Sequence, residues 1–135
     1  MNTPPSEIGA TLGFPCNPLL LLGPSGSGKT HHLRRIADAA LQRDPELRVA
    51  RMTTELLLAC CVEAIRSEMW VGFVDEFAGS FDLLLLDKTE VLDDRAGSTA
   101  CILELVQHLV PDHRVVLACL SPSSVVPALV ELLAS

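Results

Sequence analysis

A glycine-rich stretch near the N-terminus has residue types and a spacing suited to binding phosphate groups. Residues 23–30 fit the pattern G-x-x-x-x-G-K-[ST], with an apolar run before them and a helical pattern after them. The glycines let the backbone bend so that successive N–H groups point at phosphate oxygens, and the next helix directs its positive N-terminal end at the same anion. The residues predicted to hold the phosphates are Gly23, Pro24, Ser25, Gly26, Ser27, Gly28, Lys29 and Thr30.

Two side chains of this loop and one later aspartate have the chemistry of a magnesium–nucleotide site. We expect Lys29 to reach the β- and γ-phosphates and the Thr30 hydroxyl to bind Mg²⁺. Asp87 ends a continuous apolar run, a position from which an aspartate at the end of a strand holds Mg²⁺ through its water shell. The predicted cofactors are therefore ATP and Mg²⁺. Because the loop contacts phosphates and not bases, the choice between ATP and GTP stays open.

Hydrolysis needs a group that orients and deprotonates the attacking water. In many such ATPases this group is a carboxylate directly after the metal-binding aspartate, but here that position holds Lys88. A lysine beside a triphosphate tends to stay charged and so is a poor base. Glu90 is the remaining candidate for the catalytic base, and the alternative is that it is a surface carboxylate. We therefore expect weak or absent ATP hydrolysis.

Strand and helix patterns alternate along the chain, which predicts parallel strands joined by right-handed crossovers. Residues 1–16 are rich in proline and glycine and are predicted to form a flexible N-terminal arm. The predicted strands lie at 19–22, 48–52, 81–87 and 115–119. The predicted helices run from Thr30 to Asp44, from Thr53 or Thr54 onward, from Ser67 to Gly79, from Ser98 to Pro111, and over 124–133.

The inward faces of the helices follow from the spacing of their apolar residues. For the helix after Thr54, the predicted inward residues are Leu56, Leu57, Cys60 and Ala64. For the next helix they are Trp70, Phe73, Val74 and Phe77, which we interpret as core packing and not as a platform for stacking bases.

Composition restricts the class of protein. The 135 residues fit one domain, and a net charge of −7 argues against general binding to nucleic acid, which needs a basic surface. No apolar run is long enough to span a bilayer, and the N-terminus lacks a signal pattern, so we expect a cytoplasmic protein without membrane contact. The five cysteines have no metal-ligand spacing and are predicted to be buried, reduced thiols.

The chain resembles the nucleotide-binding domain of the bacterial replication initiator DnaA and its shorter regulatory relatives, within the AAA+ ATPases. The resemblance covers nearly all of residues 17–122, and it adds His31 to the nucleotide-binding residues. It implies an α/β P-loop NTPase fold, the AAA+ core, with a parallel sheet of about four strands in the order 1-4-3-2, flanked by helices. The matching stretches are 17–19, 28–31, 53–56, 62–66 and 81–87.

The resemblance also bears on DNA. The two helices between Met52 and Phe81 would correspond to the insertion that lines a single-stranded DNA path, and Arg95 falls at a basic DNA-contacting position. The second basic position nearby is Gly97 here. Single-stranded DNA is therefore a weakly supported partner. A protein partner or a second copy of the chain is the expected macromolecular partner.

Several features depart from the family pattern. Lys88 replaces the second acid, and the apolar residues 118–120 replace a polar sensor. The sequence ends at Ser135, before the arginine finger, the helical lid and the helix-turn-helix domain of the family. Residues 17–135 are thus expected to form a truncated AAA+ nucleotide-binding domain without those parts.

Three functions are consistent with these residues. The first is an ATP-binding, DnaA-like protein that acts in replication initiation or its regulation, with weak or absent hydrolysis. The second is a competent small P-loop ATPase or phosphotransferase. The third is a non-enzymatic adaptor or degenerate remnant, which the high apolar content of 49% would suit.

Overall fold

The computed structural model describes residues 17–23, 28–92, 96–120 and Pro127. The predicted N-terminal arm, the loop interior and nearly all of the predicted last helix lie outside these ranges. None of the helices within them is both long and apolar enough to cross a bilayer. The strands are β1 (Leu19–Gly23), β2 (Val49–Thr53), β3 (Leu83–Asp87) and β4 (Arg114–Leu120). The helices are α1 (Lys29–Arg43), α2 (Thr54–Arg66), α3 (Trp70–Ala78) and α4 (Ala96–Leu109), and a 3₁₀ helix spans Thr89–Leu92.

The four strands form one parallel sheet in the order β1-β4-β3-β2, which confirms the predicted topology. Parallel strands all end at the same edge of a sheet, so the carboxyl ends of β1, β2 and β3 lie along one edge, with β4 between β1 and β3. Asp87 ends β3 opposite Thr53 of β2. The end of β1 and the metal-binding candidate therefore lie at the same edge of the sheet.

Helices cover the sheet on both faces. Successive side chains of a strand point to opposite sides, so each strand contributes to an apolar cluster on either face. In β3, Leu83 and Leu85 pack into a cluster with Leu33 of α1, whereas Leu84 and Leu86 pack on the opposite side with α2 and α4. All four leucines of β3 are fully buried. A continuous apolar run is the pattern typical of a strand covered by helices on both faces.

The inward face of α2 was predicted one residue out of register. Leu57 and Ala64 are buried as predicted, but Leu56 and Cys60 are exposed, and Leu58 and Cys61 take their places. Residues 56–62 are all apolar, so their spacing could not define one face. The helix α4 also begins two residues before Ser98, which therefore lies in its first turn and not at its cap.

Asn17 fixes the start of the central strand β4 to the rest of the fold. Its side-chain amide donates hydrogen bonds to the carbonyl oxygens of Val110 (3.0 Å) and His113 (2.7 Å). Its side-chain oxygen accepts from the N–H of Val115 (2.9 Å). These bonds satisfy backbone groups at the turn into β4, where the sheet itself offers no partner. Asn17 thereby sets how β1 and β4 approach each other.

The cysteines of the described ranges are free thiols, and only part of them is buried. Cys61 and Cys119 are buried, Cys101 is half-buried and Cys60 is exposed, so the prediction of buried thiols fails for Cys60. Burial, and to a smaller extent the neighbouring Cys101, raise the pKa of Cys61 to about 12. Cys16 lies outside the described residues.

Thiol labelling is expected to separate the two adjacent cysteines. Because the thiolate is the reactive form, Cys61 in the folded chain should react at least about a hundredfold more slowly than Cys60 with an aromatic disulfide reagent at pH 8. The substitution Cys60→Ser should remove one fast-reacting thiol, whereas Cys61→Ser should remove none. Loss of a fast thiol in Cys61→Ser would contradict the burial of this side chain.

Candidate functional site

The loop between β1 and α1 closes into the helix at a glycine. Gly28 has φ +82°, in the left-handed region, and precedes the first residue of α1. A Cβ at this position would meet no atom within 4 Å, so the backbone angle and not crowding is what favours glycine here. The N–H of His32 donates to the Gly28 carbonyl (2.9 Å), which starts the helix directly behind the loop. The N-terminal end of α1 thus faces the loop, as an anion site requires.

Lys29 and Thr30 lie in the first turn of α1, and their side chains contact the ends of β1 and β3. The Lys29 ammonium donates to the carbonyl oxygen of Gly23 at 2.9 Å, so it bridges the two ends of the loop. The Thr30 hydroxyl donates to Asp87 Oδ2 at 2.7 Å. Since its proton is directed at Asp87, the lone pairs of the Thr30 oxygen remain available to a cation.

The Thr30 and Asp87 oxygens fit a magnesium site. Hydroxyl and carboxylate oxygens are ligands that Mg²⁺ prefers, and two adjacent ligands of an octahedral Mg²⁺ lie roughly 2.9 Å apart. The 2.7 Å separation of Thr30 Oγ1 and Asp87 Oδ2 is close to that spacing. These residues would hold the ion directly or through its water shell, and the ion would neutralise charge on the phosphates.

Lys88, directly after Asp87, has an unusual backbone. Its φ of +57° lies in the left-handed region, which is uncommon for a residue with a side chain and costs on the order of 1 kcal/mol. In this conformation its N–H donates to Asp87 Oδ1 at 2.8 Å. Both carboxylate oxygens of Asp87 therefore accept a hydrogen bond, one from Thr30 and one from Lys88.

A cleft of about 370 Å³ opens beside Thr30 and Asp87, between the ends of β2 and β3. Arg51 of β2 contributes to its wall, a residue that the sequence did not indicate. The strand signal of β2 was weak, so the direction of this side chain could not be predicted. The lining residues are Thr30, Arg51, Met52, Thr53, Asp87 and Lys88.

Two buried threonines hold the end of β3 in place. The Thr54 hydroxyl donates to the carbonyl oxygen of Asp87 at 3.0 Å, and the Thr89 hydroxyl lies 3.2 Å from Thr54 Oγ1. Both side chains are essentially fully buried. Either Thr53 or Thr54 was a predicted helix cap, and Thr53 fills that role by accepting from the N–H of Leu56 (3.2 Å). Thr54 instead links α2 to the backbone of Asp87, the predicted metal ligand.

Removing the Thr54 hydroxyl is expected to destabilise the fold and the site together. Thr54→Val keeps the side-chain shape but leaves the Asp87 carbonyl without this donor and Thr89 without its partner. We expect the free energy of unfolding to fall by about 1–3 kcal/mol in denaturant titrations. Thr54→Ser keeps the hydroxyl and is the matched control, with a smaller expected loss. Equal stability of Thr54→Val and the unchanged chain would contradict this role.

The other predicted site residues differ in their placement. His31 is exposed on α1, in the turn that follows the loop. Glu90 is half-buried in the 3₁₀ helix and is not among the residues that line the cleft. Residues 24–27 of the loop and Arg95 lie outside the described ranges, so these predictions stay predictions.

Comparison with known sequences gives one consistent result. The profile of the bacterial DnaA ATPase domain matches residues 6–135. The chromosomal replication initiator protein DnaA of Pseudothermotoga lettingae is 31% identical over 103 residues, which cover 76% of this chain and 23% of that protein. The DnaA protein of Acinetobacter baumannii (strain AYE) is 40% identical over 91 residues, 65% of this chain and 18% of that protein. The chain thus spans about a fifth of the length of these relatives.

Comparison with solved structures confirms the predicted AAA+ P-loop fold. Domain III of the Thermotoga maritima replication initiation protein DnaA has a TM-score of 0.69 at 26% identity, covering 85% of this chain and 49% of that chain. AMPPCP-bound DnaA from Aquifex aeolicus has a TM-score of 0.65 at 24% identity, and the match covers 84% of this chain and 36% of that chain. A DnaC helicase loader has a TM-score of 0.61 at 15% identity, and the match covers 96% of this chain and 76% of that chain. At their lower identities, the last two show similarity of fold alone.

Proposed function

Because this chain belongs to the family of bacterial DnaA ATPase domains, we propose that it binds Mg·ATP and acts in replication initiation or its regulation. The observation that carries the proposal is the 2.7 Å hydrogen bond between Thr30 and Asp87, beside Lys29 at the start of α1. The loop supplies phosphate contacts, and the Thr30 and Asp87 oxygens supply those to the metal. Residues 17–135 would form this nucleotide-binding unit, following an arm at 1–16. Its place of action would be the cytoplasm, where thiols such as Cys60 stay reduced.

Turnover of the bound nucleotide is proposed to be slow or absent. Lys88 occupies the position directly after Asp87, and its side chain offers an ammonium in place of a base. Asp87, the carboxylate among the cleft residues, accepts hydrogen bonds at both oxygens. Because hydrolysis would be slow, the protein would stay in its nucleotide-bound state for longer than the turnover time of an ordinary ATPase.

Calorimetric titration of Mg·ATP into the purified chain, with phosphate release followed in parallel, tests both parts. We expect binding near one equivalent and phosphate release slower than about 0.01 per second, a hundredfold below the usual enzyme range. No binding would overturn the proposal. Release at ordinary enzyme rates would overturn slow turnover and favour a competent ATPase or phosphotransferase.

Exposed apolar side chains on α2, on α3 and in the turn between them support a protein partner or a second copy. Single exposed apolar residues are normal on a monomer, but five of them within residues 56–71 favour contact with another protein. Their exposed fractions range from 40% for Val62 to 73% for Val71. These residues are Leu56, Val62, Ile65, Met69 and Val71. They also favour the adaptor as the second candidate function.

The charge of the same helix pair disfavours DNA as its ligand. Residues 54–78 carry five acidic side chains and one basic side chain, Arg66, all of them exposed. A path for single-stranded DNA needs a positively charged groove that follows the phosphates. We therefore propose that a protein and not DNA contacts this surface.

Two measurements separate the partners. Light scattering over a range of concentrations is expected to show self-association if a second copy covers these apolar side chains, and a monomer if a different protein does. Fluorescence anisotropy with a labelled single-stranded oligonucleotide at about 150 mM salt is expected to show no binding. Micromolar binding of the oligonucleotide would overturn the preference for a protein partner.

A further inference from the structure

The cleft beside the metal-binding oxygens carries two cations from different strands. Arg51 lies on β2 in register with Leu85, and Lys88 follows the last residue of β3. Side chains alternate along a strand, so Arg51 lies on the same face of β2 as Val49, which packs in the cluster beneath α1. This is the face of the sheet on which α1 lies. Arg51 and Lys88 both line the cleft.

The electrostatics of this cleft differ from those of the whole chain. Among the described residues the recorded ion pair joins Arg48 to Asp82, and neither Arg51 nor Lys88 has a carboxylate within ion-pair distance. The cleft's carboxylate, Asp87, already accepts from Thr30 and from the Lys88 backbone. A chain of net charge −7 therefore has, beside its loop, a pocket with two cations and one carboxylate. Such a pocket favours an anion.

The position of the cleft determines which anion this is. Lys29 of the loop would reach the β- and γ-phosphates, and the Thr30 hydroxyl would hold the metal, which would offset the charge of these phosphates. Thr30 lies both in the loop and in the cleft wall. When the loop holds a nucleotide, its terminal phosphate would therefore be the group next to Arg51 and Lys88.

The backbone of Lys88 supports this assignment. Its backbone has a left-handed conformation, at φ +57°, as does that of Glu68 in the turn after α2. That conformation gives Asp87 its second hydrogen bond, and the lysine side chain lines the cleft. One residue thus serves both the metal-binding carboxylate and the wall that faces the terminal phosphate.

We propose that Arg51 and Lys88 bind the terminal phosphate of the nucleotide and make the site selective for triphosphate over diphosphate. This inference rests on the proposed nucleotide binding and adds to it a way to distinguish ATP from ADP within one chain. The cation that contacts the γ-phosphate takes the place of a base, so recognition of the triphosphate does not lead to its hydrolysis. The nucleotide state is then set by exchange and not by turnover.

The test compares the affinities of the folded chain for Mg·ATP and Mg·ADP by calorimetry. The unchanged chain is expected to prefer Mg·ATP by at least about tenfold. Lys88→Met and Arg51→Gln should each reduce this preference about fivefold and the double variant should abolish it, with Mg·ADP affinity changed by less than about twofold. Arg66→Gln is the matched control, because it removes one positive charge at the far end of α2. It should leave the preference unchanged.

A second variant and a second measurement guard against a folding defect in Lys88→Met. Lys88→Gly removes the ammonium and suits φ +57°, so it should fold and lose the preference as Lys88→Met does. In the unchanged chain, the preference should also shrink as salt is raised from 0.05 to about 0.5 M, because these cations are exposed.

The outcomes are distinct. A double variant that keeps the preference for Mg·ATP overturns the role of Arg51 and Lys88 while leaving nucleotide binding intact. Equal loss of Mg·ATP and Mg·ADP binding also overturns it, because the cations would then act on the whole nucleotide. If the unchanged chain binds neither nucleotide, the proposed function itself fails and this inference fails with it.

Discussion

Lys29→Ala is expected to weaken the binding of Mg·ATP by about 100-fold or more. The ammonium is half-buried at the first turn of α1, where its 2.9 Å bond to the Gly23 carbonyl holds it across the loop. In the complex it would donate charge-assisted hydrogen bonds to phosphate oxygens. Removal of one partner of such a pair commonly costs 2–5 kcal/mol, and 2.7 kcal/mol corresponds to about 100-fold. Calorimetry measures the loss directly.

The fold should tolerate this substitution, which separates binding from stability. A single hydrogen bond such as the one to Gly23 contributes about 0.5–1.5 kcal/mol net, so thermal unfolding of Lys29→Ala should shift by a few degrees at most. Arg35→Ala is the matched control, because it removes a positive charge from an exposed position of the same helix. It should bind Mg·ATP as the unchanged chain does. Equal binding by Lys29→Ala would show that the loop does not hold phosphates.

The parts of the fold that could be predicted are those where one physical signal dominates. The run Leu83–Leu86 is apolar at every position and is short and bounded by aspartates, which is typical of a strand covered on both faces, and the structure buries all four side chains. The glycine spacing of the loop similarly fixed where β1 ends and α1 begins. The sheet order 1-4-3-2 came from the resemblance to the family, because pairing between distant strands has no local signature.

The parts that could not be predicted depend on register and tertiary contacts. In α2 every residue from Leu56 to Val62 is apolar, so the face that meets the core is decided by the sheet beneath it and not by the periodicity. Thr54 and Thr89 are 35 residues apart, and their hydroxyls meet only once β2 and β3 are paired. The contribution of Arg51 to the cleft likewise follows from strand register. A one-residue shift would turn it to the opposite face.

Leu85→Ala is expected to lower the free energy of unfolding by about 2–5 kcal/mol. Leu85 is fully buried in the sheet and packs in the cluster with Leu33 and Val116, so truncation leaves a cavity between two neighbouring strands and α1. The total free energy of unfolding of a native domain is about 5–15 kcal/mol, so the variant should unfold at a clearly lower denaturant concentration.

The matched control is Leu56→Ala, the same chemical change on a side chain that is 54% exposed. It should alter stability by less than about 0.5 kcal/mol, and a loss as large as that of Leu85→Ala would contradict the observed register of α2. Leu85 also lies two residues before Asp87 on the same face of β3, so the cavity would form beneath the carboxylate that we propose as a metal ligand. We therefore expect Leu85→Ala to weaken Mg·ATP binding even where it remains folded. The leucine run of β3 would then both stabilise the sheet and position the aspartate that completes the site.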